Sequence, residues 1–154
     1  MELSKIIRPD GIRILSNVTS KKRLFQDLGE LAAAAHGVPA QDAADALMDR
    51  ETLGPTGVGK GIALPHARLK GLKSVSGVFL RLERAMEFGA VDRQPVDLVF
   101  ALFAPIDSGV EHLKALALVA RTLRDTGTCA KLRSNVDVST LYTVLTDAPV
   151  SEAA

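Results

Sequence analysis

His66 is the residue of this chain best equipped for covalent chemistry. It closes most of the stretch Arg50–Arg68, RETLGPTGVGKGIALPHAR, in which glycines at 54, 57, 59 and 61 crowd into eight residues ahead of an apolar run ending in Pro65 and His66. Glycines at that density let a backbone turn sharply and bring its N–H groups close to a ligand, typically an anion. Gly61–Leu64 reads as a strand that Pro65 stops, which predicts an exposed His66 at the strand end. A neutral imidazole is nucleophilic near neutral pH, its unperturbed pKa being about 6.5, and a hydrogen bond on one ring nitrogen frees the other. An anion cradle beside such a ring points to phosphate chemistry on histidine.

Two further histidines and an arginine can be placed by their surroundings. His112 follows Glu111 in the first turn of a helix and shares a face with Leu116, Val119 and Leu123. It reads either as a histidine at the edge of the core or as an N–H donor, aided by the positive helix end, to a phosphoryl group on His66. His36 falls in the last turn of the first helix, where capping of the final carbonyls is a sufficient structural account. Arg50 and Glu51 close the second helix just before the glycines. They read as a solvated pair, or else the Arg50 guanidinium lies over the anion site, where its planar fork suits phosphate. Zinc is poorly supported, because His66 and His112 lack companion ligands at metal-binding spacing. Cys129 has no His or Lys neighbour in sequence and reads as a small core residue.

Gly54–Lys60 matches the first part of a P-loop, but Gly61 stands where the magnesium-binding Ser or Thr is needed. The loop also follows a helical run, Asp42–Arg50, and Pro65 would break the helix that a P-loop opens.

The elements that must position these residues belong to an ordinary globular composition. The 154 residues are 47% hydrophobic and 24% charged, with a net charge of +1, which argues against bulk-charge binding to nucleic acid. A single cysteine rules out an internal disulfide, and no apolar run approaches a membrane span or signal peptide. These features predict a cytoplasmic protein without membrane insertion. Apolar spacing predicts a helix over 19–36, capped by Gly37, and another over Gln41–Arg50. Val78–Leu82 alternates as a strand, and Val96–Ala104 is apolar enough to be a central strand covered on both faces. Ser108 and Glu111 fit a capping box that starts a helix to about Arg124, and Val138–Leu145 reads as a last helix. Pro149–Ala154 reads as a frayed tail. The interleaving predicts an α/β fold, a single domain with a mixed sheet of about five strands flanked by helices on both faces.

Read together, Arg50-Glu51, Thr56-Gly57, Gly59, Gly61-Ile62-Ala63 and Pro65-His66 resemble the active-site segment of IIA proteins of the bacterial phosphotransferase system. The fructose/mannitol superfamily, and its nitrogen-regulatory branch, is the nearest pattern. Gln94–Leu102 resembles that family's central strand, His112–Ala120 its second-histidine helix, and Ser20–Leu24 the start of its first helix. The resemblance implies one IIA domain over residues 1–154 with its core at about 5–148. It implies that His66 accepts the phosphoryl group, that His112 stabilises it, and that Arg50 is a nearby cation. Thr56, Gly57 and Gly59 would shape the phosphate pocket, with no cofactor or metal required. Pro55 and Lys60 depart from the family pattern, which favours small or amide side chains there.

Three functions follow as alternatives. One is a regulatory phosphocarrier charged by an HPr-like donor, its target proteins unspecified; another is the IIA component of a fructose/mannitol-type uptake system, passing phosphate to a IIB domain; the weakest is a binding module never phosphorylated. On the P-loop likeness the expectation is common to all: calorimetry with magnesium-ATP or magnesium-GTP shows no saturable binding, and Lys60→Ala leaves chemistry at His66 intact. Tight nucleotide binding lost on that substitution would refute it.

Overall fold

Val96–Pro105, called β6, is the strand around which the other elements are arranged. It is almost wholly buried, as its apolar run requires. The computed structural model describes residues 1–147, and the tail Pro149–Ala154 lies outside them. In chain order the elements are β1 (Ile7–Leu15), α1 (Lys21–His36), α2 (Ala40–Glu51), β2 (Gly57–Gly59), β3 (Ile62–Ala63), β4 (His66–Leu69), β5 (Ser76–Met86), β6, α3 (Val110–Arg124), α4 (Thr126–Ser134) and α5 (Val138–Thr146).

The sheet has six strands rather than about five, in the order β1-β5-β6-β3-β2, with β4 also paired to β6. It is mixed: β5 runs antiparallel to β6, whereas β3 and β4 run parallel to it. Side chains alternate along β6, as the strand period demands. Val99, Ala101 and Phe103 face a core shared with Leu24, Leu28 and Leu31 of α1 and Leu47 of α2. Leu98, Phe100, Leu102 and Ala104 face the other core, with Val119 and Leu123 of α3, Leu132 of α4 and Leu141 of α5. Helices thus cover both faces.

The first helix begins where Ser20 accepts from the Arg23 N–H at 3.1 Å and ends at Gly37, which takes the left-handed conformation. His36 does something other than cap its own helix. Its Nε2 donates to the Gly77 carbonyl at 2.8 Å, which ties α1 to β5. The strands β1, β2 and β4 and the helix α4 lie beyond the sequence reading. β1 is hidden by Pro9-Asp10-Gly11, which reads as a turn; the strand absorbs it as an irregularity in its pairing with β5. α4 has weak helix formers, but Asp125 caps it by accepting from the Thr128 N–H at 2.9 Å, and Cys129 and Leu132 are buried.

β2 and β3 form a hairpin in which Gly59 pairs with Ile62. The turn residues Lys60 (φ 58) and Gly61 (φ 81) both lie in the left-handed region, as a type I′ turn demands. The P-loop-like segment Gly54–Lys60, which the sequence argues against as a nucleotide site, therefore folds as the loop after α2 and the first strand and turn of this hairpin. Arg133 of α4 anchors the turn, donating to the Lys60 carbonyl at 2.9 Å while its guanidinium pairs with Asp97 at 2.9 Å. A Cβ on Gly61 would lie 2.6 Å from Arg133 Nη2. Lysine carries a steric cost at φ 58 that asparagine tolerates better. Lys60→Asn is expected to stabilise the protein by about 0.5–1 kcal/mol, and Gly61→Ala to destabilise it by roughly 1–3 kcal/mol. Urea denaturation of both variants checks the pair; shifts of the opposite signs would contradict the turn assignment.

Candidate functional site

β3 and β4 are two pieces of one path along β6. Ile62 pairs with Leu98, Ala63 with Val99 and His66 with Leu102, so the register carries through the interruption unchanged. Pro65 causes the interruption, since it has no N–H to give the ladder. Its carbonyl still accepts from Leu102 N–H at 2.9 Å, while Leu64 N–H, on the other side of the strand, continues the pairing with β2 by donating to the Thr56 carbonyl at 2.9 Å. His66 therefore opens a strand rather than ending one, and it is half-buried rather than exposed.

The Leu64 carbonyl, at the interruption, fixes the His66 ring. His66 Nδ1 lies 2.9 Å from Leu64 O. A carbonyl can only accept, so Nδ1 carries the hydrogen and Nε2 keeps its lone pair. The structure brings His112 to the same place: the two ring centroids are 5.5 Å apart with their planes at 46°. His112 lies in the first turn of α3, half-buried, and its Nδ1 is enclosed without a hydrogen-bond partner among the described residues. Burial, followed by the neighbouring His66 and Arg68, holds its pKa below the ordinary value of 6.5. His112 is thus kept neutral, able to donate from one nitrogen.

Arg50 sits at the end of α2, where Nη1 donates to the Gly54 carbonyl at 3.0 Å and braces the loop that follows. Glu51 is not solvated. Its carboxylate is buried, receives Lys21 Nζ at 2.8 Å, and accepts from both the amide N–H and the hydroxyl of Thr56. Lys21 in turn stands 4.3 Å over the Phe88 ring. Thr56 therefore gives its donors to Glu51. Gly57 is packed so tightly on Ala90 that a Cβ would approach its side chain to 2.7 Å, and Gly59 lies against the Asp92 carboxylate. Among the described residues no group of three His, Cys, Asp or Glu side chains could hold a metal ion.

The capping box predicted at the start of α3 does not form. Gly109, one residue past Ser108, is the N-cap and makes no side-chain bond to the helix, while the Ser108 hydroxyl accepts from Arg68 Nη1 at 3.0 Å. Arg68 escaped the sequence reading as a site residue. The available signal was its place two residues after His66, which on a strand puts both on one face. Glu51 was missed because a charge at a helix end usually faces water.

The family model described as the phosphoenolpyruvate-dependent sugar phosphotransferase system, EIIA 2, matches residues 5–148. A nitrogen regulatory protein of Bradyrhizobium diazoefficiens is 42% identical over 153 residues, spanning 99% of this chain and 100% of that protein. The nitrogen regulatory protein of Escherichia coli is 41% identical over 149 residues, or 96% of this chain and 91% of its relative. Among solved structures, nitrogen regulatory protein IIA-Ntr from Neisseria meningitidis matches with a TM-score of 0.85 at 33% identity, covering 94% of this chain and 99% of that one. No helix among the described residues is long and apolar enough to cross a membrane. With the match running from β1 through α5 and both histidine segments inside it, the chain belongs to the EIIA 2 family of the phosphotransferase system.

Proposed function

We propose that this protein is a phosphohistidine carrier of the nitrogen-regulatory type, taking a phosphoryl group from an HPr-like donor onto His66 and controlling other proteins by its phosphorylation state. The observation that carries the reading is the Nδ1–H bond from His66 to the Leu64 carbonyl at 2.9 Å, which leaves Nε2 as the nucleophile. Family membership and the nitrogen-regulatory naming of relatives 41–42% identical over nearly the whole chain support it.

In the proposed step the Nε2 lone pair of His66 forms the new N–P bond. The electron pair of the breaking bond returns to the donor's histidine nitrogen. The proton stays on Nδ1, hydrogen-bonded to Leu64 O throughout, so the positive charge that develops on the ring is stabilised by a backbone dipole. Exchange between two imidazoles swaps like for like and needs no large driving force. The transition state is loose, so the protein contributes in-line positioning and stabilisation of the equatorial oxygens. His112 is assigned the second task. A buried ring nitrogen without a partner is costly, and a phosphoryl oxygen would satisfy it. Arg50 acts as a cation behind the loop, and Thr56, Gly57 and Gly59 set the shape of the pocket wall.

Incubation with phosphoenolpyruvate, enzyme I and separate HPr-type donors is expected to label the wild type. The label should be acid-labile and alkali-stable, and absent from His66→Ala. Full labelling of that variant, or no labelling of the wild type, would overturn the assignment. Passage of the label to a fructose-type IIB domain would favour sugar uptake instead. His112→Ala is expected to remain folded and to slow transfer by about 10- to 150-fold, the equivalent of roughly 1.5–3 kcal/mol for one hydrogen bond to a charged group. Wild-type rates in both directions would remove His112 from the mechanism.

The lowered pKa of His112 also sets a pH dependence. In acid the unfolded chain takes up this proton before the folded one does, so stability rises with pH across the interval between the folded pKa and about 6.5. Stability contributed by neutral His112 is therefore present above that interval and lost as pH falls through it. Urea midpoints at pH 7.5 and 5.5 should differ more for the wild type than for His112→Asn; equal differences would contradict the shift.

A further inference from the structure

Arg68 links the two segments that carry the histidines. It stands two residues beyond His66 on β4, so the two side chains leave the same face. Its Nη1 donates to the β6–α3 connection: to the carbonyls of Pro105 at 3.3 Å, Ile106 at 3.2 Å and Ser108 at 2.6 Å, and to the Ser108 hydroxyl at 3.0 Å. The nitrogen's hydrogens are shared among these acceptors, and the Ser108 carbonyl is the closest. Gly109 follows, then Val110 begins α3, and His112 lies within the same turn. Among the described residues no other side chain hydrogen-bonds to this connection. Its own backbone contributes a bond from Ser108 N–H to the Pro105 carbonyl at 3.1 Å, and no side chain caps the helix. Ile106 and Val110 on either side are exposed and give it little packing.

We propose that Arg68 is a positioning residue for the histidine pair: gripping Pro105–Ser108 from the strand that carries His66, it fixes where α3 starts and so holds the His112 ring against the phosphoacceptor. A charged donor on backbone carbonyls is stronger than a neutral one, and the arginine is anchored on the strand paired to β6. His66 and His112 are thereby referred to one rigid piece of sheet, rather than to a sheet and a loosely tethered helix. Arg68 also contributes to keeping His112 neutral, behind burial and His66. Arginine has a second role here that lysine can only partly copy, because the ammonium supplies the charge and donors without the reach and planarity of the guanidinium.

The kinetic part of this inference rests on the carrier reading; the positional part does not. The test uses the full chain as wild type, Arg68→Ala, Arg68→Lys, Ser108→Ala and the Arg68→Ala/Ser108→Ala double variant. Two measurements are made on each: NMR titration of His112 with ring-to-ring contacts to His66, and single-turnover transfer from a phosphorylated HPr-type donor over a range of donor concentrations. Arg68→Ala should weaken the His66–His112 contacts, raise the His112 pKa, and cut the rate at saturating donor by about 10- to 100-fold, the scale of a small misplacement, with donor affinity little changed. Arg68→Lys should recover only part of the rate. Ser108→Ala should give a smaller loss that adds little to that of Arg68→Ala, and it decides the matter if the arginine variants fail to fold. An unmoved His112 titration with a wild-type rate in Arg68→Ala would overturn the proposal. A loss confined to donor affinity would do the same, making Arg68 a docking residue. A wild type that takes no phosphate would instead sink the carrier reading, and the NMR contacts would still judge Arg68.

Discussion

The site depends on one interruption in a parallel ladder. β3 and β4 follow β6 in an unbroken register, yet Pro65 cannot donate between them. A proline inside a sheet is normally confined to positions where its missing N–H does no harm. Here the missing donor lies beside Leu64, whose N–H bonds to the Thr56 carbonyl on the β2 side while Thr56 N–H goes to Glu51, so that the Leu64 carbonyl is left to receive His66 Nδ1. A regular strand would have kept its backbone groups for its neighbours. The irregular one converts a backbone carbonyl into a tautomer selector, placed by the most deeply buried strand of the protein.

That placement matters because the partner ring comes from elsewhere in the fold. His66 rides on the sheet, while His112 rides on a helix packed against β6 through Val119 and Leu123. Their relation is set at three points: the α3–sheet core, the short connection after Pro105, and Arg68 bridging that connection to β4. On the other side of His66, buried Glu51 joins α1 through Lys21 to the loop through Thr56. An isolated buried carboxylate would be strongly disfavoured; supplied with an ammonium, an amide N–H and a hydroxyl, it becomes a rigid joint. The glycine-rich stretch is therefore less an open cradle than a tight hairpin, with Gly57 against Ala90 and the turn clamped by Arg133.

How much of this the sequence revealed follows from the range of the forces involved. Local signals were readable: the Ser20 and Gly37 caps of α1, the apolar run of β6, and the proline and glycines before His66. Signals that depend on distant partners were not. Ser108 and Glu111 satisfy the spacing of a capping box, but the helix takes Gly109 as its N-cap and the Ser108 hydroxyl meets a guanidinium forty residues upstream. His36 has a sufficient local role in its helix, yet bonds to a strand 41 residues away. Glu51 looked solvated because nothing adjacent foretells that Lys21 and Thr56 will enclose it. β1 was masked by Pro9-Asp10-Gly11, where turn chemistry locally outweighs strand pattern and tertiary pairing with β5 reverses the outcome. Which pairs of residues meet was legible only where a family resemblance supplied it, as for His66 and His112.

A reversible carrier must hold its phosphoryl group without trapping it, and the charge arrangement here is suited to that. A cluster of free guanidinium and ammonium groups would bind a phosphoryl dianion tightly, with each charge-assisted bond about twice as strong as a neutral one. The two arginines nearest the site in sequence are instead engaged by neutral backbone carbonyls, Arg50 at Gly54 and Arg68 at Pro105, Ile106 and Ser108. Each is tethered to those carbonyls through Nη1 alone, which limits how far its remaining N–H groups can move toward a phosphoryl oxygen. The second histidine is held neutral, so it offers a dipole and a hydrogen rather than a full charge. On the proposed carrier role, such a site would lower the barrier by orientation while leaving the bound state shallow, which is what transfer in both directions requires.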